Sequence, residues 1–285
     1  MKKQFAIGAM FCLAAGMAGC GAVSSEPPDM QSMHETRPLG SVKDFNVDLK
    51  YDVGNLEITR ITDGNLFSFD LQYDKRRYDP SFRFDEGDHA SMHLDMNHRN
   101  EIGIGSGRND NDLTVRLTDK VPLNLDITTG VSESNLDMSS LQVRRLHLRG
   151  GVGKTDVTFD KGSPEPMQSL DVESGVGELI IHGLGNTRVE HMDLKGGVGH
   201  TEIDFTGELG MTRCDATIKV GVGSVRLIIP RDADVDIDSQ GSFLSNVSAP
   251  GFEHRDHTYT HNGNGGAHIH IRVESGIGGV EVELI

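Results

Sequence analysis

Five histidines crowd into seventeen residues of this 285-residue sequence: His254, His257, His261, His268 and His270. Neutral imidazole is a favoured ligand for borderline cations, and with Glu253 and Asp256 nearby the group could assemble a site for Zn²⁺, Cu²⁺ or Ni²⁺. His268 and His270 stand two apart in an alternating segment, so they share one outward face of a strand. The spacing matches no zinc-finger or zincin pattern, and the competing reading is a solvated loop in which histidines happen to cluster. Apart from this candidate divalent-metal site, no cofactor is expected.

Other motifs fall away on inspection. Gly153-Lys154-Thr155 has the end of a phosphate-binding loop, but Leu148 stands where that loop requires glycine. The calcium-binding β-roll nonapeptide fails because Thr155, Leu179, Thr201 and Val225 replace its aspartate. Asp110 and Asp112, and Asp232, Asp234, Asp236 and Asp238, read as solvated charged faces before they read as hard-cation sites. No Gly-x-Ser-x-Gly elbow is present, and Cys214 has no diagnostic histidine motif. Asp171, Asp193, Glu202 and Asp204 could mimic the outer-face carboxylates of polysaccharide-acting β-helices. The chain has no Trp to build sugar subsites, so no enzyme and no catalytic residue is expected.

What would position any of these side chains is a repeat. Gly-Val-Gly or a close copy recurs with first glycines at 130, 151, 175, 197, 221 and 276, the first four steps being 21, 24, 22 and 24 residues. Three residues before each stand Ile127, Leu148, Val172, Leu194, Ile218 and Val273. Four residues after the second glycine, or after Ser132 in the first copy, stand Leu136, Val157, Ile181, Ile203, Leu227 and Val282. Polar residues alternate between them, a period of two that belongs to strands. The expected fold is all-β, a single β-solenoid with coils of about 21–24 residues, each coil two strands meeting at a glycine corner. Val131, Val152, Val176, Val198, Val222 and Ile277, between the glycines, are expected to point into the core and stack coil on coil.

The template extends back to Val47, Leu49, Val53-Gly54, Leu56 and Ile58, which starts the solenoid near Ser41. Residues 41–120 read as irregular β coils, with period-two runs at Phe67–Tyr73, Met92–Met96 and Leu113–Leu117 and a loop at Gly103-Ile104-Gly105. Residues 121–285 read as regular repeats interrupted by an insertion at 244–266.

The N-terminus has Lys2-Lys3, an apolar run from Phe5 to Met17, and Met17-Ala18-Gly19-Cys20. This resembles the bacterial lipoprotein signal, which implies cleavage after residue 19 and acylation of Cys20. The run is too short to span a bilayer, for which about 20 residues are needed. Gly21, with no Asp there, implies the outer membrane if the cell is Gram-negative, and residues 20–40 read as a flexible tether. Losing Lys2 and Lys3 would lower a net charge of −16 by two, so no nucleic-acid partner is expected.

The Leu-x-Val-x-x-Gly-Val-Gly-x-x-x-Ile coils, Gly221–Leu227 and the closing Ser275-Gly276-Ile277-Gly278 resemble the toast-rack or putative-adhesin family of bacterial envelope β-solenoids. The resemblance carries over no catalytic residues. The expected function is that of a non-enzymatic, membrane-tethered solenoid presenting an acidic face to an envelope protein or surface polymer for adhesion, scaffolding or envelope sensing, the alternatives being a metal-binding or sensing module using the His254–His270 cluster and a polysaccharide-acting β-helix. With Val280, Val282 and Leu284 so near Ile285, the last coil needs a cover. The 244–266 insertion is expected to supply it, and without such a cap the end coil would self-associate.

Overall fold

The computed structural model describes residues 28–99, 111–208, 213–239 and 245–285. The leader, Cys20 and the Gly103-Ile104-Gly105 loop lie outside them. Regular structure among the described residues is strand, apart from one 3₁₀ turn at Leu184–Asn186. None of the described residues forms a helix long and apolar enough to cross a membrane. The first six strands are β1 Met30–Pro38, β2 Asp44–Arg60, β3 Asn65–Asp74, β4 Tyr78–Asp85, β5 His89–His98 and β6 Asp112–Leu117. Five repeat strands follow: β7 Leu123–Asp137, β8 Val143–Thr158, β9 Ser169–His182, β10 His191–Asp204 and β11 Arg213–Ile229. Then come β12 Asp234–Ser239, β13 Ser245–Ser248, β14 Glu253–Arg255, β15 Thr258–His261 and β16 His268–Leu284.

Each repeat is one continuous strand running through its glycines, not the two strands expected. Neighbours pair in parallel in the order β2-β7-β8-β9-β10-β11-β16. A straight strand of β7's 15 residues would span roughly 50 Å. The link from Asp137 to Val143 reaches at most about 21 Å. A parallel neighbour is therefore attainable only if each strand doubles back on itself, and the glycines mark where it does.

The register superposes equivalent residues: Leu125, Leu146, Leu170, Met192, Ala216 and Ile271 form one column. Leu136, Val157, Ile181, Ile203, Leu227 and Val282 form another. Both columns are buried in one core, so the two halves of every strand face each other across it. Burying each Val, Leu, Ile or Met of these columns contributes about 1.5–3 kcal/mol.

The bend itself demands glycine. Gly177 has φ 140°, and a Cβ there would collide with the carbonyl oxygen of Gly153 on the neighbouring strand. The residue before it corrects the sequence expectation. Val131, Val152, Val176, Val198, Val222 and Ile277 do stack in register, but they point outward and are 43–52% exposed. Thr129 and Ser132 are buried while Gly130 and Val131 between them are not. Two successive outward positions thus absorb a one-residue change of phase between the halves, and the valine is left on the convex side.

Two further differences concern the ends. Part of the segment expected to be a tether forms β1, which pairs antiparallel with β3 from Met30↔Asp74 to Pro38↔Asn65. Its Met33 packs against the core, which a loose tether would not do. At the other end β16 is not outermost. It lies between β11 and the pair β12 and β13, with the β14–β15 hairpin beyond β12. The described part of the 244–266 insertion, from residue 245, thus stacks beyond the last regular coil, with Phe252 and Tyr259 packed on the core. The N-terminal end is arranged alike, since β2 lies between β7 on one side and β5 and β6 on the other.

Candidate functional site

The described residues offer long faces more than clefts. Two shallow concavities near the N-terminal end measure about 370 Å³, beside Asp48, Arg83, His93 and Asp95, and about 800 Å³, beside Asp79, Asn97 and Arg99. Strand alternation turns every second side chain outward, and the register lines these up across the strands.

On the outer face of the first halves, one row runs Asp48, Asp126, His147, Asp171, Asp193 and Thr217. The next runs Lys50, Thr128, Arg149, Glu173, Lys195, Lys219 and Glu274. Its cations are paired: Lys195 Nζ lies 2.8 Å from Glu173 Oε1, Lys219 Nζ 2.9 Å from Glu274 Oε1, and Arg149 Nη1 3.3 Å from Asp126 Oδ1. The Lys195 hydrogen bond holds the Glu173 carboxyl below its ordinary range and in turn raises the ammonium.

The outer face of the second halves is different. Glu57, Glu133, Asp137, Asp156, Glu178, Glu202, Asp204, Glu281 and Glu283 occupy outward positions there. Among the strands β2, β7–β11 and β16, the facing cations are Lys154 and Arg226. Lys154 bridges Asp156 and Glu178 at 3.2 and 3.6 Å, and Arg226 bridges Glu202 and Glu283 at 3.1 and 2.5 Å. Hydrogen bonding first to Asp156, and first to Glu283, raises the two cations above their ordinary values.

The carboxylates singled out as a hydrolase-like set separate between these faces, with Asp171 and Asp193 on one and Glu202 and Asp204 on the other. The four therefore do not converge on one point. Cys214 is fully buried, and burial pushes its thiol up to about 12, so no thiolate is on offer.

The five histidines are not gathered into one site. His254 lies on β14 and stacks on Tyr259 with ring centroids 4.3 Å apart, while its Nε2 meets the Asp256 carbonyl at 2.8 Å. His257 sits in the hairpin turn, and His261 donates from Nε2 to the Arg231 carbonyl at 2.9 Å. His268 and His270 alone share a face, as their spacing predicts. Among the described residues no three His, Cys, Asp or Glu side chains already converge as an ion would require. Sequence reasoning missed the neighbours of this pair: β12 brings Asp234, Asp236 and Asp238 alongside, in register with His268, His270 and Arg272. Both halves of that juxtaposition are visible in the sequence, but their adjacency depends on β16 slotting in next to β12.

The family described as the N-terminal domain of toast_rack, DUF2154, matches residues 26–182 and 165–228. Among solved structures, a "putative cell adhesion protein" from Clostridium sporogenes is 15% identical, with 90% of this chain and 100% of that one covered at a TM-score of 0.49. A "putative adhesin" from Bacteroides fragilis is 12% identical, covering 90% and 98% at a TM-score of 0.36. A "putative lipid binding protein" from Parabacteroides distasonis is 9% identical, covering 90% and 96% at 0.33. No curated protein matches the chain. With a match that spans most of the bent strands and the N-terminal strands that begin the stack, the chain belongs to the toast-rack family.

Proposed function

We propose that this protein is a non-enzymatic, lipid-anchored β-solenoid of the cell envelope. It works by presenting the acidic outer face of its second strand halves to an envelope protein or surface polymer. The observation that carries the reading is the row of carboxylates from Glu57 to Glu283, which meets few cations. A rigid face of one sign draws a cationic partner by long-range attraction and fixes its orientation. Cys20 supplies the anchor, and two or three acyl chains at about 0.8 kcal/mol per buried CH₂ give durable attachment.

The test is cosedimentation with isolated envelopes. Glu57→Gln, Glu133→Gln and Glu281→Gln together should lower the bound fraction several-fold, as should raised salt, whereas Asp171→Asn with Asp193→Asn should leave it unchanged. Equal retention by the two variants would overturn the acidic-face reading. Cys20→Ser should move the protein from the membrane to the soluble fraction, and continued membrane retention would remove the anchor from the proposal.

A further inference from the structure

His268 and His270 project from the outer face of β16, next to the outer face of β12. Asp236 is the register partner of His270, and its Oδ2 also lies 3.6 Å from His268 Nε2. One carboxylate is thus within reach of both imidazoles. All three side chains are half-buried, open enough to admit an ion and enclosed enough to limit competing water. Strand neighbours are about 4.8 Å apart and alternate residues about 6.8 Å apart, so the centre of this triangle lies within roughly 5 Å of each Cα. Side-chain rotation alone can then bring the three donors onto one point at the 2.0–2.2 Å that a zinc-like cation takes, estimated from typical coordination distances.

The surroundings select these three. On the far side of His270, Asp238 Oδ2 lies 3.7 Å from Nε2, which leaves Nδ1 to an ion. Thr258 donates from Oγ1 to Asp238 Oδ1 at 3.0 Å and so holds that carboxylate in place. A carboxylate behind a ligating histidine fixes ring orientation and raises ligand basicity. Asp234, the register partner of His268, is engaged by the Gly263 amide at 2.8 Å. Asp215, next to His270 on β11, is tied to Arg213 at 3.0 and 3.1 Å.

We propose that His268, His270 and Asp236 form a divalent transition-metal site for Zn²⁺ or a cation of like preference, with Asp238 positioning His270. Two imidazoles and one carboxylate leave a coordination position for water or for a donor from a bound partner. His254, His257 and His261 take no part.

Calorimetric titration of Zn²⁺ alone into the full-length protein tests this. One ion per chain is expected. His268→Ala with His270→Ala should weaken it at least a hundredfold, Asp236→Asn and Asp238→Asn each by about tenfold, and His254→Ala with His257→Ala by less than twofold. Circular dichroism checks that each variant is folded. Should the double histidine variant misfold, Co²⁺ absorption of the folded Asp236→Asn protein decides, since its ligand-field bands must change from those of wild type. Absence of saturable binding to wild type, persistence of binding in a folded double variant, loss in the His254 and His257 variant, or Co²⁺ bands unaltered by Asp236→Asn would each overturn the site.

Discussion

Val176 and Val198 are register partners on β9 and β10, and each is 50% exposed on the outer side of the bend, directly before a glycine that no other residue can replace. The repeat motif therefore splits into two physical roles. The glycine is required by backbone approach, whereas the valine is held only by its stacked neighbours.

Gly177→Ala should destabilise the protein by about 3 kcal/mol or more, because φ 140° is hostile to a Cβ and the clash is with backbone. Val176→Ala should cost under about 1 kcal/mol, as an exposed side chain does. Urea denaturation of the two variants compares them, and similar midpoints would contradict the assignment.

Tyr51 has a fully buried hydroxyl with no hydrogen-bond partner, and burial pushes its phenol above the ordinary value. An unsatisfied buried polar group costs about 1–3 kcal/mol. Tyr51→Phe is therefore expected to raise the unfolding midpoint, by the equivalent of about 1 kcal/mol. A lower midpoint would mean that the hydroxyl is hydrogen-bonded in solution.

Cys214 gives a pH signature. Its thiol is raised from 9.0 to about 12 in the folded chain, so the stability it supports is intact below about pH 9 and is lost as the pH climbs toward 12. In that window the unfolded chain ionises first, and stability should drop by about 1.4 kcal/mol per pH unit from this group. Cys214→Ala should flatten the slope between pH 9 and 10 relative to wild type, since the buried tyrosines Tyr51 and Tyr78 contribute alike to both proteins. Equal slopes would place the thiol in contact with solvent.

Deleting residues 249–264 removes the β14–β15 hairpin and frees the edge of β12. Exposed edges template pairing with other chains. Light scattering should show concentration-dependent association, and an unchanged monomer would count against a capping role.

Much of the stack is legible from sequence because period-two alternation survives in each half strand. Leu125, Leu146 and Leu170, or Leu136, Val157 and Ile181, can be aligned by counting from the glycines, and they do superpose. Counting fails inside the bend, where Gly130 and Val131 both face outward and the phase slips by one. It fails again where pairing is not sequential. Nothing in the alternation of Val235 and Ile237 says that Ile269 and Ile271, far along the chain, will be their partners. The candidate metal site is legible by half for the same reason, since His268 and His270 share a face by local geometry but Asp236 arrives by topology. β1 is hidden because its sequence, Met30–Pro38, is polar enough to pass for a linker.

The placement of β16 also constrains how the molecule can be made. A ribosome delivers β12 to β15 before the strand that must lie between them and β11, so the terminal block has to wait beside an open slot. Growth of the rod from one end can proceed turn by turn through β11, but its completion is a separate event of wedging in a late strand along two borders at once. Anything that delays delivery of residues 268–284 prolongs the life of a molecule whose interior is still accessible from that gap.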